Sequence, residues 1–130
     1  MSDKVKYWIN LADDDIAVAG ILSKEKKYLQ ASFFCHLTIE KALKALVANN
    51  TSEHPFKTHN LTKLAEQGNV FDDLSESQLN FLEELNPLNI EARYPSYKAG
   101  LASILNAEKT AKLLSETEDF LCWIKKRLEK

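Results

Sequence analysis

The 130 residues are enough for one domain with its own core, and we expect a single domain over residues 1–130. The chain has three glycines and three prolines, which favours long helices, and its net charge of −2 excludes a global positive field that would attract nucleic acid. Its apolar runs fall short of the roughly 20 residues that span a bilayer. Residues 1–10 include three charged residues and lack the apolar run of a signal peptide. We therefore expect a soluble, cytoplasmic protein that has no contact with membranes.

The first predicted helix spans residues 3–22, where apolar residues recur with the helical period. Asp15 lies at the edge of its apolar face, seven residues after Trp8. Two interpretations stay open: Asp15 pairs with a cation on a neighbouring helix, or it lies at the boundary with water. Gly20 and the charged residues 24–27 predict a short connection to the next helix.

The second predicted helix, from about Tyr28 to Ala48, is apolar around most of its circumference, which places it at the centre of a bundle. A buried charge or imidazole there must find a partner. His36, Glu40 and Lys44 fall at i, i+4 and i+8 and form what we call the polar seam. The alternative for Glu40 and Lys44 is a surface ion pair that contributes a few tenths of a kcal/mol.

A short helix is predicted over residues 59–67. Thr58 can cap its start, and Gly68 lies at a C-cap position. This arrangement would place His59 in the first helical turn, next to the cap.

A further helix is predicted to start at the capping box formed by residues 75–78. Asn86 and Pro87 would break or restart it, with Asn86 as a cap. The continuation ends at Arg93, because the residue before Pro95 avoids the helical region.

The last predicted helix spans about 98–128, and Phe120 and Trp123 broaden its apolar face. Phe34 and Ile39 do the same on the second helix. Because a large exposed apolar patch usually marks an interface, this excess predicts a homodimer. Together the elements predict an all-α fold, an up-and-down four-helix bundle with a short helical insert after helix two.

We expect neither a metal nor a cofactor. The three histidines lack the spacing of an H-E-x-x-H motif, and no Glu-x-x-His pair is present. Three isolated glycines cannot form a phosphate-binding loop. Cys35 and Cys122 lie in apolar helical patterns and are expected to be buried, reduced thiols.

Besides the polar seam, the candidates for chemistry are His59 and the run from Arg93 to Tyr97. Each also has a structural interpretation. His59 would lie beside a helix cap, Arg93 would be a cation favoured by a helix C-terminus, and Tyr94 and Tyr97 would be packing residues. Composition and spacing alone thus predict only a helical bundle with a polar seam.

The segment from Phe33 to Leu46, which reads Glu-Lys-Ala-Leu-Lys-Ala-Leu from Glu40 onward, resembles the second-helix signature of the HEPN (higher eukaryotes and prokaryotes nucleotide-binding) domain family. Three more segments fit the family in the same order: Trp8 to Asp15, Thr58 to Leu61, and Ala92 to Pro95. The resemblance implies a four-helix bundle that pairs as a homodimer. Many relatives are thought to bind nucleotides or RNA, and many are partners of minimal nucleotidyltransferases, often in toxin–antitoxin pairs.

One departure from the family concerns ribonuclease activity. Ribonuclease members carry an Arg followed four to six residues later by His, whereas no His occurs in the seven residues after Arg93. The imidazole expected to act as general acid or base at the 2′-hydroxyl is therefore missing. His59 or Tyr97 would have to replace it, so the resemblance gives little reason to expect ribonuclease activity.

We rank a binding module first. Arg93, helped by Lys44 and His59, would form a cationic pocket for phosphate, because the planar guanidinium can donate two hydrogen bonds at once. The alternatives are a protein-interaction scaffold whose partner is a small nucleotidyltransferase, and a toxin-type, metal-independent ribonuclease with a degenerate Arg-His motif. The candidate ligand-binding residues are Arg93, Lys44, Glu40, His59, Tyr94, Tyr97, His36 and Asp15.

Overall fold

The computed structural model describes residues 1–93 and 105–129, and of residues 89–93 the backbone alone. Within these ranges the chain contains helices and no strand, which confirms the predicted all-α fold of four long helices and a short insert after the second. The five α-helices of the described part are α1 (Asp3–Lys24), α2 (Tyr28–Asn50), α3 (Leu61–Gln67), α4 (Glu76–Arg93) and α5 (Ala107–Leu128), with a 3-10 turn at Phe71–Asp73.

Helix α2 is the centre of the fold, as its apolar circumference predicts. Thirteen of its 23 residues are buried, and it contacts α1, α3, α4 and α5. A connection of three residues makes α1 and α2 neighbours, and it passes through Lys26 with a φ of 62°. The polar seam therefore begins inside the molecule, where each polar atom needs a partner.

Helix α1 is longer than predicted, since it continues through residues 23 and 24 and ends at Lys24, and Gly20 lies inside it. A glycine inside a helix costs only about 1 kcal/mol relative to alanine, so one such residue does not stop a helix that packs along α2. Helix α2 likewise extends two residues beyond Ala48, to Asn50.

The start of α3 also differs from the prediction. Asn60, and not Thr58, is the N-cap, because its side-chain oxygen accepts a hydrogen bond from the Lys63 amide at 3.2 Å. His59 accordingly precedes the helix and does not lie in its first turn. The predicted C-cap at Gly68 is confirmed.

Helix α4 starts at the predicted capping box, since Ser75 and Gln78 exchange two hydrogen bonds between side chains and backbone amides. The predicted break at Asn86 and Pro87 is wrong, because α4 continues unbroken past them. Pro87 removes the helical hydrogen bond to the carbonyl of Glu83, and both residues are exposed. Asn86 instead accepts a hydrogen bond from the Leu61 amide at 2.9 Å, which ties the first turn of α3 to α4.

The last helix begins later than predicted. Residues 105 and 106 are not helical, and Asn106 caps α5 by accepting a hydrogen bond from the Lys109 amide at 2.8 Å. The predicted helical turns over residues 98–104 lie outside the described residues. No helix of the described part has the length and apolar character needed to cross a membrane.

The extra apolar side chains on the second and last helices, from which we predicted a homodimer, pack largely within one chain. Ile39 and Phe120 are buried, and Phe34 and Trp123 pack against the core. These four side chains therefore do not form a large exposed patch, and the homodimer stays a prediction.

The two cysteines differ in their surroundings. Cys35 is buried as expected, and burial raises the pKa of its thiol to about 11. Cys122 is exposed, contrary to expectation. Leu121 and Ile124 occupy the inward face of this part of α5, so the residue next to Leu121 lies on the outer face.

Candidate functional site

The carboxylate of Glu40 is the hub of the polar seam. It lies near the middle of α2 and its side chain is 3% exposed. One oxygen, Oε1, is 2.7 Å from Nδ1 of His59, and the other, Oε2, is 3.2 Å from Nζ of Lys44. A single buried carboxylate thus joins a helical lysine to a histidine that comes 19 residues later in the chain.

His36 holds the backbone of His59. Its ring is fully buried one turn before Glu40, and its Nε2 lies 2.9 Å from the carbonyl oxygen of His59. Because a carbonyl oxygen can only accept, Nε2 of His36 donates this hydrogen bond. Nδ1 of His36 lies 3.8 Å from Oε1 of Glu40. Two residues of α2 therefore fix both the main chain and the ring of His59.

The contact with Glu40 determines which nitrogen of His59 carries hydrogen. An ionised carboxylate can only accept, so Nδ1 of His59 donates. In the neutral imidazole the lone pair then belongs to Nε2. The His59 side chain is 46% exposed, and no hydrogen-bond partner lies at Nε2 among the described residues. The contact with Glu40 therefore defines the tautomer of His59 and leaves the lone pair of a partly exposed ring on Nε2.

The segment that carries His59 is anchored by Gln67 at the end of α3. The Gln67 amide donates to the carbonyl oxygen of His54 at 3.0 Å, and its oxygen accepts from the Phe56 amide at 2.9 Å. Gln67 is buried. Side-chain hydrogen bonds of this kind replace the regular backbone pairing that a connecting segment lacks. His59 is thus positioned by contacts within the chain itself.

Lys44 lies between Glu40 and the ring of Trp8. Its side chain is 12% exposed, and Nζ is 5.3 Å from the centroid of the Trp8 ring, a cation–π contact. The sequence pattern gives no sign of this role, since Trp8 follows the ordinary apolar period of α1. Trp8 also lines a cavity of about 370 Å³, together with Tyr7, His54 and Pro55.

Asp15 belongs to a neighbouring contact between α1 and α2. Its Oδ2 lies 3.6 Å from Nζ of Lys41, and the Asp15 side chain is 17% exposed. Of the two interpretations of Asp15, pairing with a cation on a neighbouring helix is therefore correct. Burial raises the pKa of the Asp15 carboxyl group, and Lys41 offsets part of that effect.

Replacing Asp15 by asparagine is expected to change how stability depends on pH. A raised pKa means that Asp15 stabilises the folded state most below its usual pKa of 3.8, and that this contribution is lost as pH rises through the folded-state value. The free energy of unfolding of Asp15→Asn, relative to the unmodified protein, should therefore increase from acid to neutral pH. Urea unfolding at several pH values measures it, and a difference that falls as pH rises would contradict the assignment.

The side chains of three candidate residues lie outside the described residues. Arg93 is the last residue of α4, and its side chain lies outside the described residues, as do Tyr94 and Tyr97. Their approach to Glu40 stays a prediction. The structure brings together His36, Glu40, Lys44 and His59. Asp15 is paired with Lys41, the residue that follows Glu40 in α2.

The described ranges contain no group of three or more His, Cys, Asp or Glu side chains placed to hold a metal ion. No curated protein and no solved structure matches the chain at a significant level. A family model described as the HEPN domain matches residues 5–128, which is nearly the whole chain. The chain therefore belongs to the HEPN domain family, whose members are generally associated with nucleotides and RNA.

Proposed function

We propose that this HEPN domain binds a nucleotide or RNA, and that it recognises a phosphate at the surface formed by Lys44, His59 and Arg93. The observation that carries the proposal is the buried Glu40 carboxylate, which holds Lys44 and His59 on its two oxygens. An ammonium group has three N–H donors. Lys44 therefore keeps donors for a phosphate oxygen while it remains paired with Glu40.

Glu40 gives this cationic site a counter-charge when no ligand is bound. Lys44 is mostly withdrawn from water, so without the carboxylate its charge would lack compensation. The same carboxylate orients the His59 ring, whose Nε2 donates to an anion when the imidazole is protonated. Arg93 would add a planar fork for two further hydrogen bonds.

The base of the ligand would stack on an aromatic ring. Tyr94 and Tyr97 are the aromatic residues that follow Arg93 in the sequence. Tyr7 and Trp8 line the cavity of about 370 Å³ described above, which is within the size range of small-molecule sites, and Trp8 also contacts Lys44. Stacking of one base contributes about 1–3 kcal/mol in proteins that bind single strands.

We also propose that the domain acts as a homodimer and as an accessory to a minimal nucleotidyltransferase, in an arrangement of the toxin–antitoxin kind. Membership in the HEPN family supports this assignment. Co-purification with a nucleotidyltransferase encoded by a neighbouring gene would favour it. A pull-down in which that protein fails to bind would count against it.

Calorimetric titration with ATP, and separately with a short single-stranded RNA, tests the phosphate site. Loss of a hydrogen bond to a charged group costs about 1.5–3 kcal/mol, so Arg93→Ala and Lys44→Ala should each weaken binding by about tenfold to a hundredfold. Lys63→Ala is the matched control, because Lys63 is an exposed lysine on α3. Equal affinity of the unmodified protein and Arg93→Ala would remove the proposed pocket.

A further inference from the structure

His59 is held more firmly than an exposed histidine needs to be. Glu40 fixes its ring, His36 fixes its carbonyl oxygen, and Gln67 fixes the backbone at His54 and Phe56 just before it. Ordering a surface side chain costs conformational entropy. A partly exposed ring that is restrained in this way, with Nδ1 bonded to a buried carboxylate and the lone pair on Nε2, has the arrangement of an activated nucleophile.

We propose that Nε2 of His59 is a phosphoryl-accepting nucleophile that forms a phosphohistidine. The donor class is a small phosphate compound with a good leaving group, such as a phosphoric anhydride. The proposal rests on the proposed function in one respect, namely that Lys44 holds the donor's phosphate. Lys44 shares the Glu40 carboxylate with His59, so a phosphate that binds Lys44 lies close to the imidazole.

The transfer needs no further base. The lone pair of Nε2 forms a bond to phosphorus, the bond from phosphorus to the leaving group breaks, and the leaving group takes the bonding electron pair. The hydrogen on Nδ1 stays between His59 and Glu40. The positive charge that the ring gains is opposed by the carboxylate 2.7 Å away.

His54 is a matched control that the chain itself supplies. It lies in the same connecting segment, five residues before His59, and is exposed. Its carbonyl oxygen accepts the Gln67 hydrogen bond. Its ring has no carboxylate partner among the described residues, so it should react as an ordinary surface imidazole.

The test is to incubate the full chain with phosphoramidate, a reagent that transfers phosphoryl groups to histidine with release of ammonia. Peptide mapping at neutral pH then follows the phosphoryl group on each histidine over time. We expect His59 to be labelled about tenfold faster than His54, by analogy with the tenfold or larger loss that follows removal of the carboxylate partner of a metal-binding histidine. Glu40→Gln should reduce the His59 rate toward that of His54, and His59→Gln should leave only the slow label.

Equal labelling of the two histidines in the unmodified protein would overturn the proposal, as would the absence of phosphate on His59. This comparison within one folded molecule holds even if a Glu40 variant does not fold. Phosphoramidate labelling does not require a bound nucleotide. Fast labelling of His59 together with no calorimetric binding of ATP or RNA would therefore refute the nucleotide proposal alone.

Discussion

Replacing Glu40 by alanine is expected to lower the free energy of unfolding by about 3 kcal/mol. Removing one partner of a buried ion pair typically costs 3–5 kcal/mol, because the other charge is left without compensation. The lower end applies here, since Lys44 is 12% exposed and His59 is 46% exposed, and water screens both. Urea unfolding followed by circular dichroism measures the change. Glu40→Gln should lie between the alanine variant and the unmodified protein, since it keeps the volume and an acceptor for His59.

Glu83→Ala is the control for this experiment. Glu83 is an exposed glutamate on α4, and surface substitutions of that kind usually change stability by less than about 0.5 kcal/mol. If Glu40→Ala were as stable as Glu83→Ala, the Glu40 carboxylate would not organise the seam. Its contacts with Lys44 and His59 would then be incidental surface interactions.

The second large effect is expected for Leu64→Ala, which should cost about 3 kcal/mol through lost burial and the cavity left behind. Leu64 is fully buried in α3, a helix of seven residues that rests on α2 and α4. So short a helix has little stability of its own. Loss of the Leu64 side chain should also loosen the segment that carries His59. Hydrogen exchange of residues 54–68 should therefore be accelerated relative to the unmodified protein, and by more than the exchange of α2.

Lys63→Ala provides the comparison, because Lys63 occupies the exposed face of the same helix. It should leave both the unfolding free energy and the exchange pattern almost unchanged. A Leu64→Ala variant that loses less than about 1 kcal/mol would show that α3 is not anchored through this side chain.

The sequence allows α2 and its seam to be predicted because both depend on local rules. Helix formers without interruption define the helix, and the spacing of four residues places His36, Glu40 and Lys44 on one side of it. The capping box at Ser75 and Gln78 follows from equally local chemistry and is also correct. The sequence left open whether Glu40 and Lys44 form a surface ion pair, and their side-chain exposures of 3% and 12% show that the pair is largely withdrawn from water.

The contacts that build the site across the chain could not be predicted in this way. His59 meets Glu40 because Gln67 and Asn86 hold the segment around it, and no period relates these positions. Asn86 also shows how a strong local signal is overridden: beside a proline it is typical of a helix break, yet tertiary contacts keep α4 continuous and use the Asn86 amide for α3. In the sequence Gln67 is one of several polar residues of α3, and its burial is visible only in the structure.

The contact between Lys44 and Trp8 escaped prediction for a related reason. The periodicity of α1 identifies Trp8 as a core residue, and it does pack against the core. Periodicity does not indicate which cation lies over the Trp8 ring, because this contact depends on how α1 is rotated against α2. Likewise, the predicted approach of Arg93 to the seam would be set by packing between α4 and α2 and not by the motif around Arg93.

The organisation of the seam by Glu40 is tested by the tautomer of His59, which long-range ¹⁵N–¹H correlation spectra of the ring nitrogens report at a pH where the imidazole is neutral. The structure predicts hydrogen on Nδ1 and the lone pair on Nε2 for His59, because Nδ1 donates to the buried Glu40 carboxylate. His36 should show hydrogen on Nε2, which donates to the carbonyl oxygen of His59. A His59 ring with hydrogen on Nε2 and a bare Nδ1 would contradict the account, since Glu40 would then not hold it.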